Sequence, residues 1–350
     1  METKLVSVST ENPDEAVISE AAKVLKNGGL VAFPTETVYG LGGNGLDPEA
    51  SAKIYAAKGR PSDNPLILHI SSIEELAPLV EEIPPMAEPL MEACWPGPMT
   101  LIFKKSEIVP KATTGGLDTV AIRYPSHPVA MALIRKCGFP IAAPSANTSG
   151  HPSPTGAAHV ANDLSGKIDM IIDGGDVEIG LESTIIDVTG DSPVILRPGY
   201  ISLEEVRRLM GEGELDPAIT GIPSPDLRPK APGMKYRHYA PKAEVTIFEG
   251  EEGAVAARIN ALAAESIAAG RSVGILCAEE SRKLYTGGAV KCLGSRKSAG
   301  QLAHNLYRAL REFDDEAAEV VYSESFAEGE LGCAIMNRLN KAAGYRIVKV

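Results

Sequence analysis

The spacing of apolar positions changes twice along this chain. Over residues 1–210, short helical and strand-like periods alternate. Val17, Ala21, Val24 and Leu25 recur at the 3.6-residue spacing of one helix face. Asn12-Pro13 marks the start of that helix and Gly28-Gly29 its end. Leu30–Phe33 then reads as a short buried strand, and Asp47-Pro48 opens a second helix running through Ala57. Apolar runs of strand length follow at Leu66–Ile70, Thr100–Phe103, Val120–Arg123, Ile141–Ala143, Met170–Ile172, Thr184–Val188 and Val194–Leu196. Helical stretches separate some of these runs, while others follow one another directly. That order predicts a twisted, open mixed sheet with helices, not a strict parallel winding.

Residues 211–241 lose the periodicity and hold six prolines in 31 positions, the mark of a linker. Beyond them the alternation is regular: strand Val245–Phe248, a helix through Ala268, strand Val273–Leu276, a helix at Gln301–Phe313, strand Glu319–Tyr322 and a closing run Tyr345–Val350. Right-handed strand–helix–strand units predict a smaller, doubly wound, Rossmann-like α/β domain. The expected organisation is therefore a domain over 1–210, a proline-rich basic linker over 211–241 and a second domain over 242–350. The total of 350 residues suits two domains of ~150.

Composition narrows the function classes. No apolar run approaches the ~20 residues of a membrane span. Five cysteines cannot all pair, none lies in a Cys-x-x-Cys, and the charged opening carries no secretory leader. The expectation is a reduced, cytoplasmic setting. The six histidines lack ligand spacing and a cysteine cluster, so no protein-built metal site is expected. Forty-six acids against 34 bases give a net charge of −12, which disfavours a nucleic-acid coat protein. The charge is uneven: residues 1–221 hold 30 acids and 16 bases, whereas 242–350 hold 15 and 14. Between them Arg228, Lys230, Lys235 and Arg237 face Asp226 alone. A basic strap beside an acidic domain suits a bound polyanion, or serves only as a solubilising linker.

Gly40-Leu-Gly42-Gly-Asn-Gly45 matches G-x-G-x-x-G, but six residues separate it from the preceding strand and no acid closes the next one. It reads as a glycine-rich turn shaped for close backbone packing, not as a dinucleotide fingerprint. No P-loop occurs. Chemistry is concentrated instead in polar clusters at strand ends. PTETVYGLG (34–42) carries two threonine hydroxyls, a carboxylate and a tyrosine. In KGRPSDNPLILH (58–69), Lys58 and Arg60 either cap a helix C-terminus or hold phosphate on a proline-stiffened loop. Both cations are expected near solvent, so that their loss leaves no cavity. His69 alone reads as a core histidine. Arg123, inside a strand, is an ion-pair partner or an anion ligand. Ser145, Asn147 and their neighbours form a hydroxyl–amide turn or cap, and Ser183 and Arg197 follow.

The ordered set PTETVYGLG, KGRPSDNPLILH, WPGPMTLIF, TVAIRYP, PIAAPSAN, ESTIIDV, ILRPG and APGMKYRHYAP resembles the YrdC-like family, and in particular its two-domain form, the threonylcarbamoyl-AMP synthases. The resemblance implies condensation of L-threonine, bicarbonate and ATP to threonylcarbamoyl-adenylate and diphosphate. Magnesium is carried with the ATP phosphates. The product feeds a threonylcarbamoyl-transferase complex that modifies the adenosine beside the tRNA anticodon. The family's catalytic tetrad maps onto Lys58, Arg60, Ser145 and Asn147. Its ATP contacts map onto Arg60, Asn64, Thr119, Ser145, Ser153, Arg197 and Tyr236, and its threonine contacts onto Thr37, His69, Arg123, Ala143 (through the backbone) and Ser183. The alternative is an RNA-binding translation or ribosome-assembly factor with a basic cleft and weak RNA affinity. The acidic first domain and the 5% aromatic content argue against it. The strap over 231–241, with Tyr236, His238 and Tyr239, is expected to fold over the cleft as a lid.

Overall fold

The computed structural model describes residues 2–219, 229–234, 238–327, 329 and 331–350. Two compact units emerge: Met1–Ser149, Ser153–Glu178 and Glu182–Lys235 form the first, and Gly150–Pro152, Ile179–Leu181 and Tyr236–Val350 the second.

The first unit is built on an 11-stranded sheet. Its strands are β1 (Lys4–Ser7), β2 (Val31–Phe33), β3 (Gly40–Asn44), β4 (Ile67–His69), β5 (Met99–Lys104), β6 (Thr119–Arg123), β7 (Ile141–Ala142), β8 (Met170–Asp173), β9 (Thr184–Asp187), β10 (Val194–Arg197) and β11 (Glu214–Leu215). They lie in the order β1-β8-β2-β3-β7-β4-β6-β5-β9-β10-β11. Parallel pairs such as β4–β6 and β5–β9 mix with antiparallel ones such as β5–β6 and β4–β7. The mixed order agrees with the sequence-based expectation.

Helices α1 (Glu15–Lys26), α2 (Pro48–Lys58), α3 (Ala87–Cys94), α4 (Pro128–Cys137), α5 (Ala157–Leu164) and α6 (Leu203–Met210) complete the unit. Alternation along the strands splits the core in two. Ala32, Leu41, Leu68, Leu101, Ile122 and Ile186 face one cluster, with Ile54, Leu90, Val160 and Val206 from the helices. Val31, Phe33, Ile141 and Met170 face the other, with Ile18 and Leu25 of α1 and Leu133 of α4. On this second side a further cluster joins Ile67, Ile102, Ala121 and Ile185 to Ala231 and Met234, which are buried. Ala231 and Met234 of the proline-rich segment therefore lie on the sheet there.

Three expectations are corrected. Asp14, not Asn12, caps α1, because its carboxylate accepts from the backbone of Ala16 and Val17. The glycine-rich run is strand β3, paired with β2 and β7, and not a turn. Its close packing is real: a Cβ on Gly42 would meet Phe33 Cε1 at 2.8 Å, and one on Gly45 would meet Leu68 Cδ2 at 2.3 Å. The segment 211–241 is not purely linker either, since Glu214–Leu215 pairs with β10.

The second unit has a five-stranded, all-parallel sheet: β12 (Glu244–Glu249), β13 (Val273–Cys277), β14 (Ala289–Cys292), β15 (Val320–Glu324) and β16 (Ile347–Lys349), ordered β14-β13-β15-β12-β16. With α7 (Glu252–Ala268), α8 (Ala299–Asp315) and α9 (Gly332–Ala342) it forms the doubly wound arrangement the alternation predicts. Among the described residues no helix is long and apolar enough to cross a membrane.

Candidate active site

The four strands β4, β6, β5 and β9 lie side by side, and their register lines up polar residues within apolar strands. His69 stands opposite Arg123, Arg123 opposite Thr100, and Thr100 opposite Ile185, which in turn faces Arg197 of β10. Alternation puts Thr119, Ala121 and Arg123 on one face, so Thr119 occupies the far end of the same strip, roughly 13 Å from Arg123. His69, Thr100, Arg123, Ser183 and Arg197 are all buried. Thr100 Oγ1 and Ser183 Oγ share a hydrogen bond of 2.7 Å, and Arg197 donates to the Ser183 carbonyl and hydroxyl at 3.1 Å each. Burial, reinforced by the Arg123 guanidinium, lowers the His69 pKa to about 3, so its imidazole is neutral near pH 7.

The loop between β2 and β3 reaches the strip. Thr35 accepts from the backbone N–H groups of Thr37 and Val38 and donates to the Val38 carbonyl, a local turn that fixes the loop. Thr37 is fully buried with its hydroxyl 2.9 Å from that of Thr35. Glu36 Oε1 accepts from Arg123 Nη2 at 2.7 Å, with the two side chains only 7% and 5% exposed. The pair is incomplete: Glu36 Oε2 and Arg123 Nε are buried without a partner. Of the two sequence readings of Arg123, the structure shows the ion-pair partner, and Nε is a further donor left over.

A second group assembles where α2 ends. Gly59 takes the left-handed conformation, φ 62°, that stops the helix after Lys58. Lys58 is 2% exposed, against the expectation of a cation near solvent. The α2 terminus packs on the loop after β7, and the Lys58 ammonium donates to the carbonyls of Ser145 and Asn147 and, at 3.4 Å, to Asn147 Oδ1. Its removal therefore does disturb packing. Arg60, half-buried, donates to the carbonyls of Asn64 and Pro65 at 3.1 and 2.9 Å. Asn64 is fully buried, and both polar atoms of its side chain lack a partner. Ser145 Oγ donates to Asn147 Oδ1, and the Ala143 N–H to the Ile67 carbonyl on β4. The loop is thereby fastened to the strand that carries His69. Ser153 and Glu182, both buried, are hydrogen-bonded to each other.

The fold thus gathers the proposed tetrad around the α2 terminus, and His69, Arg123, Ser183 and Arg197 along the strip with Thr37 beside them. Tyr236 lies outside the described residues, as does part of the expected lid; Ala231 and Met234 lie on the strip's face. Sequence reasoning noted the Glu36 carboxylate in its cluster without giving it a role, and did not single out Thr100 or Glu182. Their signal was available: a carboxylate or hydroxyl inside a segment otherwise too apolar for the surface. Among the described residues there is no group of three or more His, Cys, Asp or Glu able to hold a metal ion.

Residues 23–199 match the Sua5_yciO_yrdC family model, described as "Telomere recombination", and residues 201–344 match "Threonylcarbamoyl-AMP synthase, C-terminal domain". Threonylcarbamoyl-AMP synthase of Pyrococcus abyssi is 52% identical over 97% of this chain and 98% of its own length, and that of Bacillus subtilis is 48% identical over 98% and 96%. A crystal structure of P. abyssi Sua5 complexed with L-threonine superposes with a TM-score of 0.94 at 50% identity, covering 99% of this chain and all of that one.

Proposed function

The chain belongs to the threonylcarbamoyl-AMP synthase family, and from that we propose that the polar strip of its first sheet is where threonine, as its carbamate, meets the α-phosphorus of ATP. The relatives' name gives the product, threonylcarbamoyl-AMP, and in this reading it is made from L-threonine, bicarbonate or CO2 and ATP, with release of diphosphate. The observation that carries the site assignment is the set of buried, partnerless polar atoms on Arg123, Glu36 and Asn64. Buried atoms without a partner are rare in native proteins and call for an explanation. Three such residues among these hydroxyls and cations are explained by a ligand that completes them.

Threonine lies along the strip, its carboxylate at Arg123 and its other polar groups at Thr37, neutral His69, the Ala143 backbone and Ser183. ATP spans Arg60, Asn64, Thr119, Ser145, Ser153, Arg197 and Tyr236. A carbamate is already an anionic oxygen nucleophile, so adenylation needs no strong general base. The obstacle is repulsion between that anion and the triphosphate, which fixed positive charge and in-line positioning overcome. Arg60, the more exposed cation, meets the phosphates. Lys58 works from behind, holding the loop that presents Ser145 and Asn147. Magnesium would come with the ATP and would screen the phosphate charge; the described residues offer no group of three or more His, Cys, Asp or Glu to hold it otherwise. The strap, seated through Ala231 and Met234, shields the labile anhydride from water. The adenylate then passes to a threonylcarbamoyl-transferase complex acting on tRNA, in the cytoplasm.

Diphosphate release tests this reading. It should require ATP, threonine and bicarbonate together, and Arg123→Ala should raise the KM for threonine on the order of 100-fold while leaving that for ATP nearly unchanged. Equal losses for both substrates would place Arg123 elsewhere.

A further inference from the structure

We infer that Glu36 reads the α-ammonium of the incoming amino acid, so that the Glu36–Arg123 pair is a receptor for a zwitterion and not for a carboxylate alone. This rests on the threonine site proposed above. An arginine–carboxylate pair that serves only the fold has its remaining donors and acceptors met by neighbouring groups. Here one bond forms, from Nη2 to Oε1 at 2.7 Å, although both side chains are buried. The remaining carboxylate oxygen and Nε have no partner. An unsatisfied acceptor and an unsatisfied donor, each on a charged group, are costly in an interior. An amino acid supplies both missing partners at once: its carboxylate accepts from Arg123 and its ammonium donates to Glu36 Oε2.

Neither neighbouring imidazole takes the ammonium's place. Burial lowers the pKa of His69 and of His127, which favours their neutral forms. His127 is otherwise engaged at the start of α4, where its Nδ1 accepts from the Val129 N–H. Thr35 and Thr37 hold the loop that aims Glu36, since their hydroxyl and backbone contacts define its turn. The contact also survives the chemistry: when the ammonium and bicarbonate condense to the carbamate, water and one proton are released to solvent, and the nitrogen retains one N–H to donate to Oε2. Selection for a free α-amino group follows, which hydroxyl recognition alone does not provide.

The test compares L-threonine with 3-hydroxybutanoate, its analogue without the amino group, by calorimetry on the full chain. The unaltered protein should bind threonine well ahead of the analogue. Glu36→Gln should weaken threonine roughly 10- to 100-fold, leave 3-hydroxybutanoate within about threefold and leave ATP affinity unchanged. Should that variant not fold, Glu36→Asp serves in its place, with a smaller loss confined to threonine. Equal weakening of threonine and its analogue would reduce Glu36 to a prop for Arg123 and overturn the inference, as would no change in either. Failure of the unaltered chain to bind threonine would instead overturn the site assignment itself, and this inference with it.

Discussion

Each unit contains a buried glutamate joined to an arginine, and the two pairs are finished differently. In the second sheet Glu324 accepts from Arg296 Nη2 at 2.6 Å, from the Tyr285 hydroxyl at 2.6 Å and from the Ala278 N–H at 3.0 Å. Arg296 also donates to the Ser325 carbonyl at 2.9 Å and lies 5.5 Å from the centre of the Phe326 ring. Burial and the adjacent carboxylate push the Tyr285 pKa well up, so the phenol stays a donor. Both carboxylate oxygens are satisfied. Glu36 and Arg123 likewise share one bond, but each keeps a buried atom without a partner. The same two residue types thus serve two ends. A closed network specifies how strands and loops meet, whereas an open one leaves buried atoms that a ligand would complete.

The sharpest way to test that contrast is at Lys58, which combines both roles. Lys58→Ala should lower turnover on the order of 100- to 1,000-fold, because the Ser145–Asn147 loop loses its anchor. It should also lower stability by about 3 kcal/mol, since buried carbonyls lose their donor. Diphosphate release and thermal melting measure the two effects. A variant with normal turnover at saturating ATP would mean that the loop does not depend on the ammonium.

Arg296→Ala should break the closed pair and strand the Glu324 charge, at a stability cost of about 3 kcal/mol. Threonine affinity should stay unchanged, in contrast to Arg123→Ala. Denaturant titration and calorimetry on the same protein separate the two. A loss of threonine affinity in Arg296→Ala would erase the distinction between the pairs.

The smallest effect is a pH dependence from His69. Its folded pKa, about 3, lies below the ordinary value of 6.5. The unfolded chain therefore binds the extra proton first, and stability is retained above pH ~6.5 and declines as the pH falls towards 3. Between pH 7 and pH 5 the loss should be about 2 kcal/mol. His69→Gln should flatten that slope in melts followed across the range. An unchanged slope would assign the acid sensitivity to other groups.

The regular parts of the fold were legible because they rest on local patterns. Asp47-Pro48 opens α2 as expected, since the Asp47 carboxylate accepts from the Glu49 N–H and Pro48 occupies a position that needs no donor. The apolar run Val273–Leu276 is wholly buried within β13. Strand β3 was missed because its glycines carry no hydrophobic pattern; only the neighbours Phe33, Ile141 and Leu68 explain them. Strand β1 was missed because its burial is slight, an edge strand paired only with β8.

For the site, the sequence by itself determined which chemistry was on offer. The hydroxyls, amides and cations sat in segments too apolar for the surface, and their order resembled one family. Burying such groups is unfavourable without a partner, so their presence there already implied a purpose. What the sequence could not decide was which group met which. Arg123 and Glu36 are 87 residues apart, as are Lys58 and Ser145. Strand register and the hairpin between β2 and β3 bring the first pair together, and the α2 terminus brings the second. Only the tertiary structure determined that Lys58 is an internal anchor, not a solvent-facing clamp, and that the Glu36–Arg123 pair is left open. Both follow from distance and direction between side chains, and residue type and spacing along the chain encode neither.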